Sequence, residues 1–217
     1  LDTRRQAQAA YPRIKVLVIH YTADDFDSSL ATLTDKNVSS HYLIPAVPPL
    51  YHGKPRIWQL VPEKDLAWHA GISFWRGATR INDTSIGIEL ENRGWQKSAG
   101  IKYFAPFEPA QIQALIPLAK DIIARYDIKP QNVVAHADIA PQRKDDPGPL
   151  FPWKVLAEQG VAARVVSLPS HYMFDRQDAE YRNAVMPRGI PRVAVEAGVT
   201  DWWRKYVGLE GAVVGID

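Results

Sequence analysis

The chain has no cysteine in its 217 residues, which excludes disulfides, iron–sulfur clusters and thiolate zinc sites. Any transition-metal site must therefore be built from histidine and carboxylate, and the redox state of the compartment cannot be read. An excess of charge is lacking too: 26 Lys plus Arg stand against 24 Asp plus Glu, a formal net charge of +2. That balance gives no electrostatic reason to expect a nucleic acid or an acidic membrane surface as partner. No apolar run approaches the roughly 18 residues of a membrane-spanning helix, no signal peptide opens the chain, and no internal repeat or low-complexity tract is present. The expectation is a soluble monomer. The first residue is Leu1 rather than Met, which suggests that an upstream segment was removed. The length suits one α/β domain, or a domain of ordinary size with a smaller appendage.

Hydrophobic patterning supplies the elements. Residues 1–13 are polar and irregular, and Ile14 to Ile19 form a β-branched run of the kind that fills a buried strand and ends at His20. Tyr21 to Asp27 read as a turn, and Ser28 to Thr34 as a helix capped by its serines. Ser40 to Pro45 and Pro55 to Val61 read as strands around a Pro- and Gly-containing loop, Val47 to Lys54. Thr84 to Glu91 alternates: Ile86, Ile88 and Leu90 share one face, and Ser85, Gly87, Glu89 and Glu91 the other. Pro109 to Tyr126 has helical spacing, with Pro109 in the first turn and Pro117 expected to kink it. Asn132 to His136 is again strand-like and ends in histidine, a proline-rich loop follows, and Trp153 to Glu158 closes the set. The order describes an α/β domain with a central mixed β-sheet flanked by helices.

Two strand-end histidines, His20 and His136, could meet at one sheet edge, where open α/β folds place their sites. A strand-end histidine alone is as readily a structural residue. An Asp in the proline-stiffened loop after His136 would complete a His, His, Asp set with the fourth tetrahedral position open, the arrangement of a catalytic zinc. If residues 144–146 are extended, Lys144 and Asp146 point the same way, and the ammonium would stand beside the metal to stabilise an oxyanion or protonate a leaving amine. The alternative is a solvated loop lysine in an acidic turn. Glu89 lies on the polar face of an otherwise apolar strand, where a carboxylate is costly without a partner or a function. Glu91 shares that face, so spacing does not choose between them.

Six ordered motifs carry a resemblance: I–H–Y–T around His20, S–H–Y–L–I around His41, A–W–H–A–G at 67–71, N–D–T–S–I–G–I–E–L–E at 82–91, F–x–P–A–Q at 107–111 and H–x7–K–x–D at 136–146. Together they resemble the zinc N-acetylmuramoyl-L-alanine amidases, a group related to phage amidase lysozymes and peptidoglycan recognition proteins. Within it they are most similar to the lipid-anchored periplasmic amidases of Gram-negative bacteria, which accept muramyl and anhydromuramyl peptides. The resemblance implies one Zn2+ per chain held by His20, His136 and Asp146, with Glu89 as base and Lys144 as transition-state stabiliser. It implies that Trp68, His69 and Arg80 line the substrate cleft. It further implies a peptidoglycan or muropeptide substrate, cell-wall turnover in the periplasm, and membrane contact only through an upstream lipid anchor. His41 is read as a strand histidine packed near the site, and His52 as a loop histidine in a Tyr-His-Gly turn.

The sequence changes character after about Glu158. Val161 to Ser167, Arg192 to Gly198 and Gly211 to Ile216 are strand-like, with helical content in Asp175 to Met186 and Thr200 to Val207, a short βαβ-like appendage. R–V–V–S–L–P–S, F–D–x–Q–D–A–x–Y–R, R–V–A–V–E–A–G and K–Y–V–G–L resemble part of the transketolase C-terminal domain. That family's thiamine and metal motifs lie in earlier domains and are absent here, so transketolase activity is not expected. Residues 1–158 are read as the catalytic domain, and 159–217 as a fragment without function of its own, joined to it as a foreign piece. No helical wall-binding domain is visible.

Overall fold

The computed structural model describes residues 12–161, 171–180, 182, 186, 193–195, 200–208 and 212–214. The backbone falls into two compact units, Leu1–Arg164 and Val165–Asp217.

The first unit is built on β1 (Val16–Tyr21), β2 (Tyr42–Ile44), β5 (Trp58–Gln59), β6 (Ser85–Leu90) and β9 (Val133–Ala135), in the order β5-β2-β6-β1-β9. β1, β6, β9 and β2 run parallel and β5 antiparallel, so the sheet is mixed as its sequence suggested. Alternation sorts the side chains. Leu17, Ile19, Ile86, Ile88 and Leu90 lie in one core with Leu115, Ala119 and Ile122 of helix α3 (Pro109–Tyr126). Val16, Val18 and Val134 pack on the opposite face with Ala70, Ile139 and Ile81 of the short helix α2 (Ile81–Thr84). That second face also carries His20 and Glu89, because His20 follows Val18 by two positions and is the register partner of Glu89.

Several local expectations are corrected. The first helix, α1, is Phe26–Leu33, and its cap is Asp25 rather than a serine; the Asp25 carboxylate accepts the Ser28 N–H at 3.0 Å. A carboxylate suits that position because the helix N-terminus is electropositive and its first amide protons lack partners. The segment read as a loop at 47–54 contains a hairpin, β3 (Leu50–Tyr51) with β4 (Lys54–Pro55). His52 and Gly53 form its two-residue tip with positive φ values of 48° and 74°, the backbone that such tight turns require. A second hairpin pairs β7 (Trp95–Ser98) with β8 (Ile101–Phe104). The strand before His136 stops at Ala135, and His136 opens a short helix, His136–Ile139, held by the Asp138 carboxylate on the Ala135 N–H. Helix α3 runs on through Pro117.

The helix Trp153–Glu158 ends in a way that places the next residues. Gly160 takes φ 81°, the Gly160 N–H bonds the Ala157 carbonyl, and the Val161 N–H bonds the Leu156 carbonyl. These paired bonds are a Schellman cap, which folds the residue after the glycine back onto the helix. Val161 and Leu156 are fully buried in the α3-side core. Truncation after Arg164 should therefore keep this cap and the buried Val161. Truncation after Glu158 should cost about 2 kcal/mol, the burial of one valine side chain together with its cap. Thermal unfolding of the two truncations checks this, and equal midpoints would show that Val161 contributes nothing.

In the second unit Val193–Val195 and Ala212–Val214 pair in parallel. Asp175, at the end of helix His171–Asp175, accepts from Lys205 Nζ at 2.6 Å and Tyr206 OH at 2.8 Å. The strand expected at Val161 to Ser167 lies, beyond Val161, outside the described residues, as do the ends of the other two expected strands and residues 181 and 183–185 of the expected helix at Asp175 to Met186.

Candidate metal centre

β1, β6 and β9 end together at the carboxyl edge of the sheet. Because Ile19 is the register partner of Ala135, the next residues, His20 and His136, emerge side by side. The loop after His136 returns with the Ala137 N–H on the Asp146 carbonyl at 2.8 Å, which carries the Asp146 side chain to the same point. His20 Nδ1 lies 2.9 Å from His136 Nδ1 and 3.1 Å from Asp146 Oδ2, and His136 Nδ1 lies 3.0 Å from the same oxygen. All three residues are buried.

Two imidazole nitrogens and a carboxylate oxygen converging this closely have too few protons to bond one another in every pairing. The donor set fits a divalent cation. Zinc–ligand bonds of 2.0–2.1 Å at tetrahedral angles put ligand atoms roughly 3.3 Å apart, a small widening of the observed triangle. The outer nitrogen of His136 fixes how that ring presents itself. Its Nε2 lies 3.1 Å from the Ala70 carbonyl, an acceptor only, so Nε2 carries the proton and Nδ1 keeps its lone pair toward the cluster. Arg143 bonds the same carbonyl and that of Ile72, both at 2.7 Å.

Electrostatics prepare the groups. Burial lowers the His20 pKa to about 4, against the opposing pull of Asp146, so the ring is neutral and able to donate a lone pair. Burial alone would raise Asp146, but the adjoining His136 and His20 rings outweigh it and hold that carboxyl below the ordinary range. Burial, with the nearby Asp146 charge, pushes Glu89 up to about 8, and Lys144 acts in the opposite direction. The Glu89 Oε2 atom is buried with no hydrogen-bond partner among the described residues. A carboxyl group so placed is stable without a partner only because it can keep its proton.

Glu89, Lys144, His136 and Asp146 line one cavity of about 320 Å³, with Trp68, His69 and Ser39 also on its wall. Glu91 turns elsewhere. Its two oxygens accept the backbone N–H groups of Phe26 at 3.0 Å and Ala46 at 2.7 Å, a structural staple between loops. Trp68 is 61% exposed. Arg80 lines a different cavity with Phe74, Asn82 and Gln142, and its guanidinium pairs with Asp83 at 2.8 Å. His41 is fully buried, its Nδ1 accepting the Gly87 N–H at 3.1 Å and its Nε2 lying 3.2 Å from the Asp65 carbonyl. Sequence reasoning missed Ser85, whose Oγ lies 3.0 Å from His69 Nε2, and Asp145, which accepts from Trp95 Nε1 and Lys102 Nζ and ties the second hairpin to the metal loop.

Fold and site together define a class: an α/β domain with a mixed sheet at whose edge two histidines and a loop aspartate converge in a set that fits a divalent cation. The family profile for N-acetylmuramoyl-L-alanine amidase matches residues 10–149, and the chain belongs to that family. It is 90% identical over 163 residues to the Escherichia coli N-acetylmuramoyl-L-alanine amidase AmiD, an alignment covering 75% of this chain and 59% of that protein. It is 43% identical over 95 residues to the 1,6-anhydro-N-acetylmuramyl-L-alanine amidase AmpD of Enterobacter cloacae, covering 44% and 46%. The chain thus spans about half to three fifths of the length of these relatives. Among solved structures it is similar to E. coli AmiD in complex with anhydro-N-acetylmuramic acid-L-Ala-D-gamma-Glu-L-Lys, with TM-score 0.75 and 77% identity over 89% of this chain and 71% of that one. AmpDh3 of Pseudomonas aeruginosa, in complex with an anhydromuramic pentapeptide, follows at TM-score 0.69 and 41% identity, covering 88% and 75%. Residues 153–217 match the transketolase-like C-terminal domain and are 57% identical over 65 residues to E. coli transketolase 1, covering 30% of this chain and 10% of that enzyme. Among the described residues no helix is long and apolar enough to cross a membrane.

Proposed function

We propose that this chain is a zinc-dependent amidase that hydrolyses the bond between muramic or anhydromuramic acid and L-alanine in peptidoglycan or muropeptides, in periplasmic cell-wall turnover. The observation that carries the reading is the convergence of His20 Nδ1, His136 Nδ1 and Asp146 Oδ2 within 3.1 Å of one another, in a cavity shared with Glu89 and Lys144. The relatives' complexes with anhydromuramyl peptides support the substrate class. Membrane attachment, on this reading, is through a lipid anchor upstream, and residues beyond the first unit take no part in the chemistry.

His20, His136 and Asp146 would hold a zinc ion, which would supply Lewis acidity for polarising an amide carbonyl and for making water acidic near neutral pH. Glu89 is the base. Burial makes its carboxylate more basic than an ordinary glutamate, so it can take a proton from water and return it to the departing alanine nitrogen. Lys144 places a positive charge on the wall of the same cavity, where negative charge develops on the carbonyl oxygen. Trp68 offers an exposed apolar face for a sugar ring or lactyl group. Arg80, 83% exposed in the second cavity, offers a guanidinium for a carboxylate of the stem peptide.

The test is mass spectrometry of muropeptides after incubation with the zinc-loaded protein. Peptides beginning at L-alanine and free anhydromuramyl sugar are expected, and unchanged muropeptides would remove the assignment. Lys144→Ala should lower kcat about 100- to 1,000-fold, the usual loss for one oxyanion donor, with zinc content unchanged.

A further inference from the structure

His69 spends both ring nitrogens inside the protein, and the direction of its hydrogen bonds can be worked out from the far end. Ser85 Oγ lies 2.6 Å from the Ile81 carbonyl, which only accepts, so the hydroxyl proton is committed there. Ser85 Oγ is then the acceptor toward His69 Nε2 at 3.0 Å, and that nitrogen carries the ring proton. His69 Nδ1 is left as a bare acceptor 2.9 Å from His20 Nε2, which must donate. With its proton on Nε2, His20 presents an unprotonated Nδ1 to His136 and Asp146. One backbone carbonyl, acting through Ser85 and His69, thereby selects the tautomer of His20 that can ligate a metal.

From this chain of bonds we infer that His69 is a positioning residue for the metal ligand His20, rather than a contact for substrate. The inference rests on the metal reading of His20, His136 and Asp146. The ring is held on every side. Its plane crosses that of His20 at 85° with centroids 5.0 Å apart, and His41 packs on it edge-on. The backbone N–H groups of His69 and Ala70 bond Asn82 Oδ1 at 3.2 and 2.7 Å. Gly87 makes the room: it stands between Ser85 and Glu89 on the site-facing side of β6, and a Cβ there would come within 2.5 Å of the His69 ring. His136 anchors its outer nitrogen on a loop carbonyl. His20 is central in the sheet, with β6 and β9 pairing to either side of its strand, so a second ring brought in from the 67–71 segment takes that part. At 8% exposure, with both nitrogens bonded, His69 has no polar atom left for a ligand in the cavity.

The experiment measures zinc affinity of the full chain by competition with a chromophoric chelator, for the unaltered protein, His69→Leu and His69→Asn. Asparagine can place its amide oxygen where Nδ1 lies and accept from His20; leucine cannot. His69→Leu should bind zinc about 10- to 100-fold more weakly, the usual loss when the outer hydrogen bond of a ligating histidine is removed, and His69→Asn should recover about tenfold of it. Saturated with zinc, His69→Asn should keep the KM for anhydromuramyl tripeptide and change only kcat. Failure of the unaltered chain to bind one zinc would overturn the metal reading itself. Zinc bound normally by the unaltered chain but equally well by both variants, or equally poorly by both, would overturn only the positioning role, as would a raised KM in His69→Asn. If His69→Leu does not fold, Ser85→Ala takes its place: it frees the His69 proton to move to Nδ1, so zinc affinity should fall, and an unchanged affinity would equally overturn the role.

Discussion

His136→Ala should lose both the zinc and all measurable amidase activity. The substitution removes one of three converging ligand atoms and leaves His20 Nδ1 and Asp146 Oδ2, which approach each other at 3.1 Å but no longer form a closed face for a tetrahedral ion. Two donors do not hold a catalytic zinc against dialysis. The loss should exceed the roughly 10- to 100-fold that follows removal of an outer partner alone. Metal analysis after dialysis should find one zinc per chain in the unaltered protein and none in the variant, and muropeptide turnover should fall to background. Retention of full activity by a metal-free preparation of the variant would remove zinc from the mechanism.

Much of this arrangement was legible because strand and helix periods are short and strict. Alternation in Thr84 to Glu91 assigned Ile86, Ile88 and Leu90 to the core and Glu89 to the other face, and the structure keeps that division. The strand-like runs that carry His20 and lead into His136 are legible as well, although β1 extends to Tyr21 and His136 opens a helix. What periodicity lacks is adjacency: nothing in the spacing states that β1 lies between β6 and β9, the order that brings His20, Glu89 and His136 together. Register then separates Glu89 from Glu91, since Glu89 stands beside His20 while Glu91 is occupied by the amides of Phe26 and Ala46. The short hairpins were missed because strands of two to four residues with mostly exposed side chains leave almost no periodic signal. Gly87 was a signal not used. A lone glycine inside a β-branched strand marks the close approach of another group, and here that group is the His69 ring. The change in sequence character places the boundary at about 158 and carries no record of Val161 folding back under its glycine cap into the core.

Glu89→Gln separates the base from the ligands and carries a pH signature of its own. The variant should keep one zinc per chain, because Glu89 is not among the three converging atoms, and should lose about 100- to 10,000-fold in kcat, the range for removing a positioned general base. The metal-free protein should respond in the opposite sense and become more stable. In the folded chain burial raises the Glu89 carboxyl from 4.5 to about 8, whereas the unfolded chain titrates near the ordinary value. Between those two pH values the folded state holds a proton that the unfolded state has released, so stability falls as the pH rises across that window. At about 1.4 kcal/mol per pKa unit, a rise from 4.5 to about 8 sets a ceiling of about 5 kcal/mol on the loss by pH 8. Glutamine has no proton to release, so that part of the slope should vanish, and the gain over the unaltered chain should grow steadily from pH 5 to pH 8. Zinc shrinks the difference, since a dication beside the carboxylate favours the charged form and draws its pKa down. Urea unfolding of both proteins with and without chelator, at several pH values, reads all of this in one series. Equal slopes in the two metal-free proteins would mean that Glu89 is not the buried titrating group, and loss of zinc from the variant would make it a ligand rather than the base.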